Sequence, residues 1–170
     1  NEDRVFRLVG VTWAGGKKKD RKRLAKDLIK MQGPDGGWAQ LPGMQSDSYA
    51  TGQVLFALKT SGIKVRHKSY QQGCRYLLNT VQPDGSWLVT TRSKAIQKYF
   101  ESGFPHEKSQ FISICGTCWA TLALVELLPA ARQLPGAFWP QQACLSDRMG
   151  VGPGKRVDLG GRTSPQPPYP

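Results

Sequence analysis

Three places in this 170-residue chain carry side chains that could do chemistry. Cys115 and Cys118 form a Cys-x-x-Cys pair, the spacing used by zinc ligands and redox dithiols. A zinc site needs a second ligand pair, for which only His67 and His106 remain. The pair also lies inside Phe111–Leu124, a long apolar stretch interrupted by one glycine. The expectation is therefore free cysteines that behave as small buried hydrophobes, with no bound metal. The four cysteines, Cys74 and Cys144 included, are too few and too scattered for a small disulfide scaffold. The second place is Leu88–Ser109, where Tyr99, Phe100, Glu101, Phe104, His106 and Glu107 crowd together. A long loop between helices can be a lid or a site, and His106 and Glu107 are its acid–base candidates. No partner for His106 can be identified, so the simpler reading has Phe100, Phe104 and Pro105 anchoring the loop while His106 and Glu107 stay solvated. His67, between Arg66 and Lys68, is expected to be exposed. The third place is Asp47, which stands between Ser46 and Ser48 at the start of an apolar helical stretch and reads first as an N-cap.

The elements that must position these residues come from an internal repeat. Leu28–Trp38 aligns without a gap on Leu77–Trp87 at an offset of 49, although the glutamine (Gln32, Gln82) slips by one place. Each run ends an expected helix at Pro-Asp-Gly, because proline drives the preceding residue out of the α region and Asp-Gly supplies turn chemistry. A second, nearly uncharged helical stretch follows each turn, Ser48–Leu58 in one copy and Cys115–Leu124 in the other. Matching Ala57-Leu58 with Ala123-Leu124 raises the offset to 66, so the second copy holds about seventeen extra residues before its second helix. A period near fifty with two helices per unit predicts a helical repeat architecture, with helices near 18–32, 47–61, 67–81 and 110–128. The first helix of each pair is amphipathic and the second apolar, as two concentric layers require. Gly62 is placed as a residue just past a helix end, and Pro129 stops the last helix.

These residues carry a resemblance. Gly73-x-x-Tyr76-Leu77-Leu78 followed by Gln82-x-x-Gly85-x-Trp87 resembles the QW repeat of squalene–hopene and oxidosqualene cyclases, the prenyltransferase and squalene oxidase repeat group. Gln32-x-x-x-Gly36-x-Trp38 is similar to a second copy, and Thr117–Leu124 to the inner helix that follows such motifs. The likeness covers about residues 20–128. It implies an α/α toroid with inner helices around an apolar cavity, and Gln–Trp contacts tying neighbouring repeats through Gln32, Asp35, Gly36 and Trp38, and through Gln82, Asp84, Gly85 and Trp87. The chemistry of the family follows less far. The Asp-x-Asp-Asp acid motif of hopene cyclases is absent. The Asp-Cys-Thr-Ala acid motif of oxidosqualene cyclases finds its Asp and Ala at Asp47 and Ala50, with Ser48 and Tyr49 between them. Prenyltransferase β subunits, another toroid group, hold zinc with an Asp and a Cys at an inner-helix start, and the thiol is missing after Asp47. The complement-type thioester motif is not matched by Gln72-Gly73-Cys74-Arg75.

Charge and composition bound the remainder. The chain carries 24 Lys and Arg against 12 Asp and Glu, a net +12. Half of that excess sits between Lys17 and Lys30, where eight cations face only Asp20 and Asp27. No aromatic interleaves them, so a solvated basic helix face is expected and nucleic acid is not. No apolar run is long enough to span a membrane, no secretory signal is visible, and peripheral membrane contact stays open. The missing initiator Met raises the expectation of a piece of a longer protein. Residues 129–170 contain eight of the twelve prolines and six glycines, a composition that reads as disordered, with Phe138 and Trp139 able to dock locally.

The expected architecture is thus all-α: a partial α/α toroid of two helical-hairpin repeats, with an N-terminal segment 1–16, a repeat domain 17–128 and a low-complexity tail 129–170. Val5, Phe6, Leu8, Val9 and Val11 could pack as helix or strand. Two hairpins cannot close a ring, so an apolar face should stay open, to which Tyr49, Phe56, Phe111 and Trp119 contribute. The functional expectation is a terpene-cyclase-like segment that forms part of an apolar cavity, without cofactor and not catalytic alone. Its partners would be an apolar isoprenoid-like ligand and the remainder of the toroid or another subunit. The alternatives are part of an active triterpene cyclase and a partner-docking repeat module. No compartment is assigned.

Overall fold

The computed structural model describes residues 1–94 and 98–128. The expectations of a disordered tail and of docking by Phe138 and Trp139 fall outside these residues. The described chain is all-α, with helices α1 (Glu2–Trp13), α2 (Lys18–Ile29), α3 (Ser48–Thr60), α4 (Lys68–Thr80) and α5 (Gln110–Val125). A 3-10 turn over Glu107–Ser109 leads into α5. No β-strand occurs among the described residues, only one bridge between Trp38 and Asp47. Within the first sixteen residues, open between helix and strand in the sequence, Glu2–Trp13 forms α1.

Helices α1, α3 and α5 make one row, because α3 packs against both of the others, most extensively against α5. Helix α2 lies against α1 and α3, and α4 against α3 and α5. The result is an arc of an α/α toroid, with α1, α3 and α5 as the inner layer and α2 and α4 as the outer. The sequence dictates this sorting. In α2 only Leu24, Ala25 and Leu28 are buried, one stripe of an otherwise charged helix. In α3 nine of thirteen residues are buried, and its one charged residue, Lys59, sits in the last turn, where a cation suits the helix dipole. Leu28, Leu55, Leu58, Tyr70 and Leu77 close the core between the layers at full burial.

The two turns are copies in three dimensions as well. In the first, the Gly33 N–H donates to the Gly37 carbonyl at 2.8 Å and the Gly36 N–H to Gly33 at 3.0 Å. In the second, Gln82 donates to Ser86 at 2.8 Å and Gly85 to Gln82 at 2.9 Å. Gly36 and Gly85 occupy φ 86° and 82°, the left-handed region that favours glycine. Asp35 and Asp84 each accept the N–H two residues on, at 3.0 and 2.9 Å. Just beyond each turn, the indole N–H of Trp38 donates to the Leu28 carbonyl and that of Trp87 to the Leu77 carbonyl, both at 2.8 Å. Each ring therefore satisfies a carbonyl in the last turn of its own outer helix.

The glutamines diverge. Gln32 Nε2 donates to the Gly36 carbonyl at 2.7 Å and to the Ser69 carbonyl in α4 at 2.8 Å, which ties the first turn to the next hairpin. Gln82 reaches only the Thr80 carbonyl, at 3.4 Å, and is exposed. The one-residue slip seen in the alignment is the cause: Gln82 occupies the place of Gly33, not of Gln32.

Candidate functional site

On the inner layer, the Phe56 and Trp119 rings meet at 5.4 Å between centroids. Phe6 of α1 approaches the same indole edge-on at 6.5 Å. Such tilted and edge-to-face pairs suit the ring quadrupoles. Three inner helices thus each supply one ring to a single group. Tyr49 turns its hydroxyl to Glu2 Oε1 at 3.1 Å, which joins α3 to α1. Phe111 is half exposed on the side of α5 opposite the buried residues Ser113, Gly116, Ala120 and Ala123, and follows the buried Gln110. Phe6 is among the N-terminal apolar residues open between helix and strand in the sequence, where no face can be assigned to it.

Asp47 is the N-cap of α3 and its Oδ1 accepts the Ala50 N–H at 2.8 Å. Its Oδ2 accepts from Gln40 Nε2 at 2.7 Å. Arg92, from the segment after the second turn, donates to Gln40 Oε1 and to the Met44 sulfur. Burial lifts the Asp47 carboxyl above the usual carboxylate range, more than the Ala50 and Gln40 hydrogen bonds and the Arg92 charge lower it. Two shallow cavities meet at Gln40 and Arg92. One of about 220 Å³ is lined by Glu2, Tyr49 and Gln53 among others, and one of about 330 Å³ by Met44, Asp47, Leu88 and Val89 among others. Arg92 and Gln40 had no sequence signal, since neither lies in a repeated or periodic segment.

The cap predicts two distinct outcomes. Asp47→Ala removes the acceptor for Ala50 and is expected to cost about 0.5–2 kcal/mol. Asp47→Asn keeps a capping oxygen and discards the desolvated charge. A raised folded pKa means that the Asp47 contribution to stability is fully present below the unfolded carboxyl value and declines as pH rises through the folded one. Urea unfolding from pH 3.5 to 7 should therefore show Asp47→Asn gaining on the parent chain as pH rises, while Asp47→Ala stays less stable than Asp47→Asn throughout.

His106 has a partner after all. Its Nε2 lies 2.7 Å from Ser86 Oγ, and Ser86 Oγ donates to Asp84 Oδ1 at 2.6 Å. The Asp84 carboxyl is held below the usual range chiefly by that Ser86 hydroxyl, then by the Ser86 N–H. In this chain of bonds the serine proton points to the carboxylate, so the imidazole is left as donor to Ser86 rather than as its base. The linkage fastens the long loop to the second turn. His106 and Glu107 sit at φ 82° and 45°, unusual for non-glycine residues. Glu107 is exposed, and Asp47 and His106 engage separate partners. His67, exposed as expected, caps α4, its Nδ1 accepting the Ser69 N–H at 3.3 Å.

The expectation that the cysteines are buried hydrophobes holds for Cys74 and fails for the Cys-x-x-Cys pair. Cys74 is buried, and burial pushes its thiol up to about 11, whereas Cys115 and Cys118 are exposed. Helix α5 carries no charge anywhere on its circumference, so no charged face marks which side packs on α3 and which is left open. Cys144 lies outside the described residues. Among the described residues no group of three or more His, Cys, Asp and Glu could hold a metal ion, and no helix is long and apolar enough to cross a membrane.

A family model described as squalene-hopene cyclase C-terminal domain matches residues 2–133. Neither a curated protein nor a solved structure matches the chain.

Proposed function

Because the chain belongs to the squalene-hopene cyclase C-terminal domain family, we propose that its inner helices wall part of an apolar cavity for an isoprenoid-like hydrocarbon, and that the chain does not cyclise such a molecule alone. The observation that carries this reading is the Phe6–Trp119–Phe56 group, which draws one aromatic from each inner helix. Apolar flanks suit a polyisoprenoid chain, and ring faces attract positive charge as it develops. A complete ring needs further hairpins. The open side of α5, with Phe111, Cys115, Cys118 and Val125 exposed, suits the remainder of a toroid or another subunit.

Asp47 supports the non-catalytic half of the reading. Both of its oxygens accept N–H bonds, which act to keep the carboxyl ionised in the helix cap rather than poised as an acid. Its raised pKa is the one observation that favours the second reading, a share in an active triterpene cyclase with Asp47 as the acid. Incubation of the chain with squalene and with oxidosqualene, followed by mass spectrometry of the extracted lipids, is expected to yield no cyclic product. Farnesol should bind saturably by tryptophan fluorescence, and the double variant Phe56→Ala, Trp119→Ala should weaken it by about tenfold, the scale of two lost ring contacts. A cyclic product abolished in Asp47→Asn would replace this reading with the active cyclase. Farnesol binding that fails to saturate would leave a partner-docking repeat module.

A further inference from the structure

The charges are segregated by layer. On α2 and at its C-cap, Lys18, Lys19, Lys22, Arg23, Lys26 and Lys30 are all exposed, while the buried residues are Leu24, Ala25 and Leu28. At 100° per residue the six cations fall within about 140° of arc, centred opposite the buried stripe. The only ion pair they make among the described residues is Arg23 with Asp20, at 3.5 Å. Helix α4, the other outer helix, exposes Lys68 and Arg75 and contains no acidic residue, and the segment before it exposes Lys64 and Arg66. Ten exposed cations therefore cover the outer layer, where the acids are Asp20 and Asp27, both half-buried. The acids of the second hairpin, by contrast, lie off its outer helix: Asp84, Glu101 and Glu107 in the turn and loop, and Glu126 at the end of α5, paired with Lys59 at 2.8 Å.

We propose that this outer layer docks on an anionic lipid bilayer surface. Seven of the ten cations are lysines, compact point charges suited to a diffuse anionic plane, whereas arginine forks mark sites built around a single phosphate or base. No aromatic on α2 or on the exposed side of α4 offers a stacking platform, since Tyr70 is buried and Tyr76 half-buried with its hydroxyl on the Ser46 carbonyl at 2.6 Å. The cations spread over two helices and the segment between them, an area and not a single row. Each lysine or arginine near an anionic leaflet contributes about fivefold in affinity, an attraction that falls off within a Debye length. The surface is independent of the isoprenoid reading, because it faces away from the inner aromatic rings.

The test is sedimentation of the full chain with vesicles of phosphatidylcholine alone and with about one third phosphatidylglycerol, at about 0.1 and 0.5 M salt. Binding is expected to the anionic vesicles only, and to fall steeply at the higher salt. Lys22→Glu with Lys26→Glu should lower affinity by at least about 25-fold, with helical circular dichroism unchanged. Lys94→Glu with Lys108→Glu makes the same change in net charge away from the outer layer and should stay within about threefold. Equal losses in the two double variants would reduce the effect to net charge and overturn the proposal, as would no vesicle binding at the lower salt. Tighter binding to a short DNA duplex than to the anionic vesicles would overturn it in favour of nucleic acid. Farnesol affinity, measured without vesicles, should not move in the α2 variant, so this proposal and the cavity reading can fail separately.

Discussion

Trp38→Ala is expected to lower the free energy of unfolding by about 3–5 kcal/mol, the range for deleting a fully buried large ring. The indole is 0% exposed and packs on α4, where a Cβ added to Gly73 would stand 2.8 Å from its ring. Its N–H also bonds the Leu28 carbonyl, and alanine would leave that oxygen only the Met31 N–H at 3.1 Å. The loss would be felt in both hairpins, because the ring lies between the first turn and the helix of the second. Trp87 makes the same bond to Leu77 and is 6% exposed, so Trp87→Ala should cost nearly as much. Urea denaturation followed by circular dichroism measures both. A Trp38→Ala midpoint equal to that of the parent would refute the role of the ring in tying the two hairpins.

Gly52→Ala is expected to destabilise by about 1–3 kcal/mol, although alanine is the better helix former by about 1 kcal/mol. A Cβ at residue 52 would lie 2.5 Å from the Trp119 carbonyl carbon and 2.7 Å from the Ala120 nitrogen. These are backbone atoms of a helix and cannot rotate away, so α3 and α5 would have to part. The shift would also displace Trp119 relative to Phe56, and farnesol affinity should fall together with stability. Gly10 of α1 provides the control: it is exposed, and an added Cβ meets nothing within 4 Å. Gly10→Ala should be neutral or stabilising by up to about 1 kcal/mol. Should Gly52→Ala behave like Gly10→Ala in thermal unfolding, the close approach of α3 and α5 is not limiting.

What the sequence disclosed follows from how locally each feature is encoded. Pro34-Asp35-Gly36 and Pro83-Asp84-Gly85 state their turns in three residues, and the helices on either side follow from apolar spacing. The expected 47–61 and 67–81 enclose α3 and α4 to within a residue at each end. The second helix reached to 32 in expectation and ends at Ile29, because Met31 and Gln32 already donate in turn geometry to Leu28 and Ile29. The features that stayed hidden are all non-local. Ser86 and His106 stand 20 residues apart across a loop with no period. Arg92 reaches Gln40 over 52 positions. The exposure of Cys115 and Cys118 depends on what stands beyond α5, which no residue of α5 states.

Helix α3 touches every other α-helix of the arc, α1 and α2 on one side and α4 and α5 on the other. Linear repeat arrays distribute their stability along the chain, so that end units can open while the middle persists. An arrangement centred on one helix behaves otherwise, since parting the second hairpin from α3 strips that helix of most of its cover. The two hairpins would then form one cooperative folding unit rather than two. Val54, Leu55, Ala57 and Leu58, with no measurable surface, sit at the middle of that unit. Their amide protons would exchange with solvent only when the whole arc opens, so their protection reads out the stability of the entire assembly.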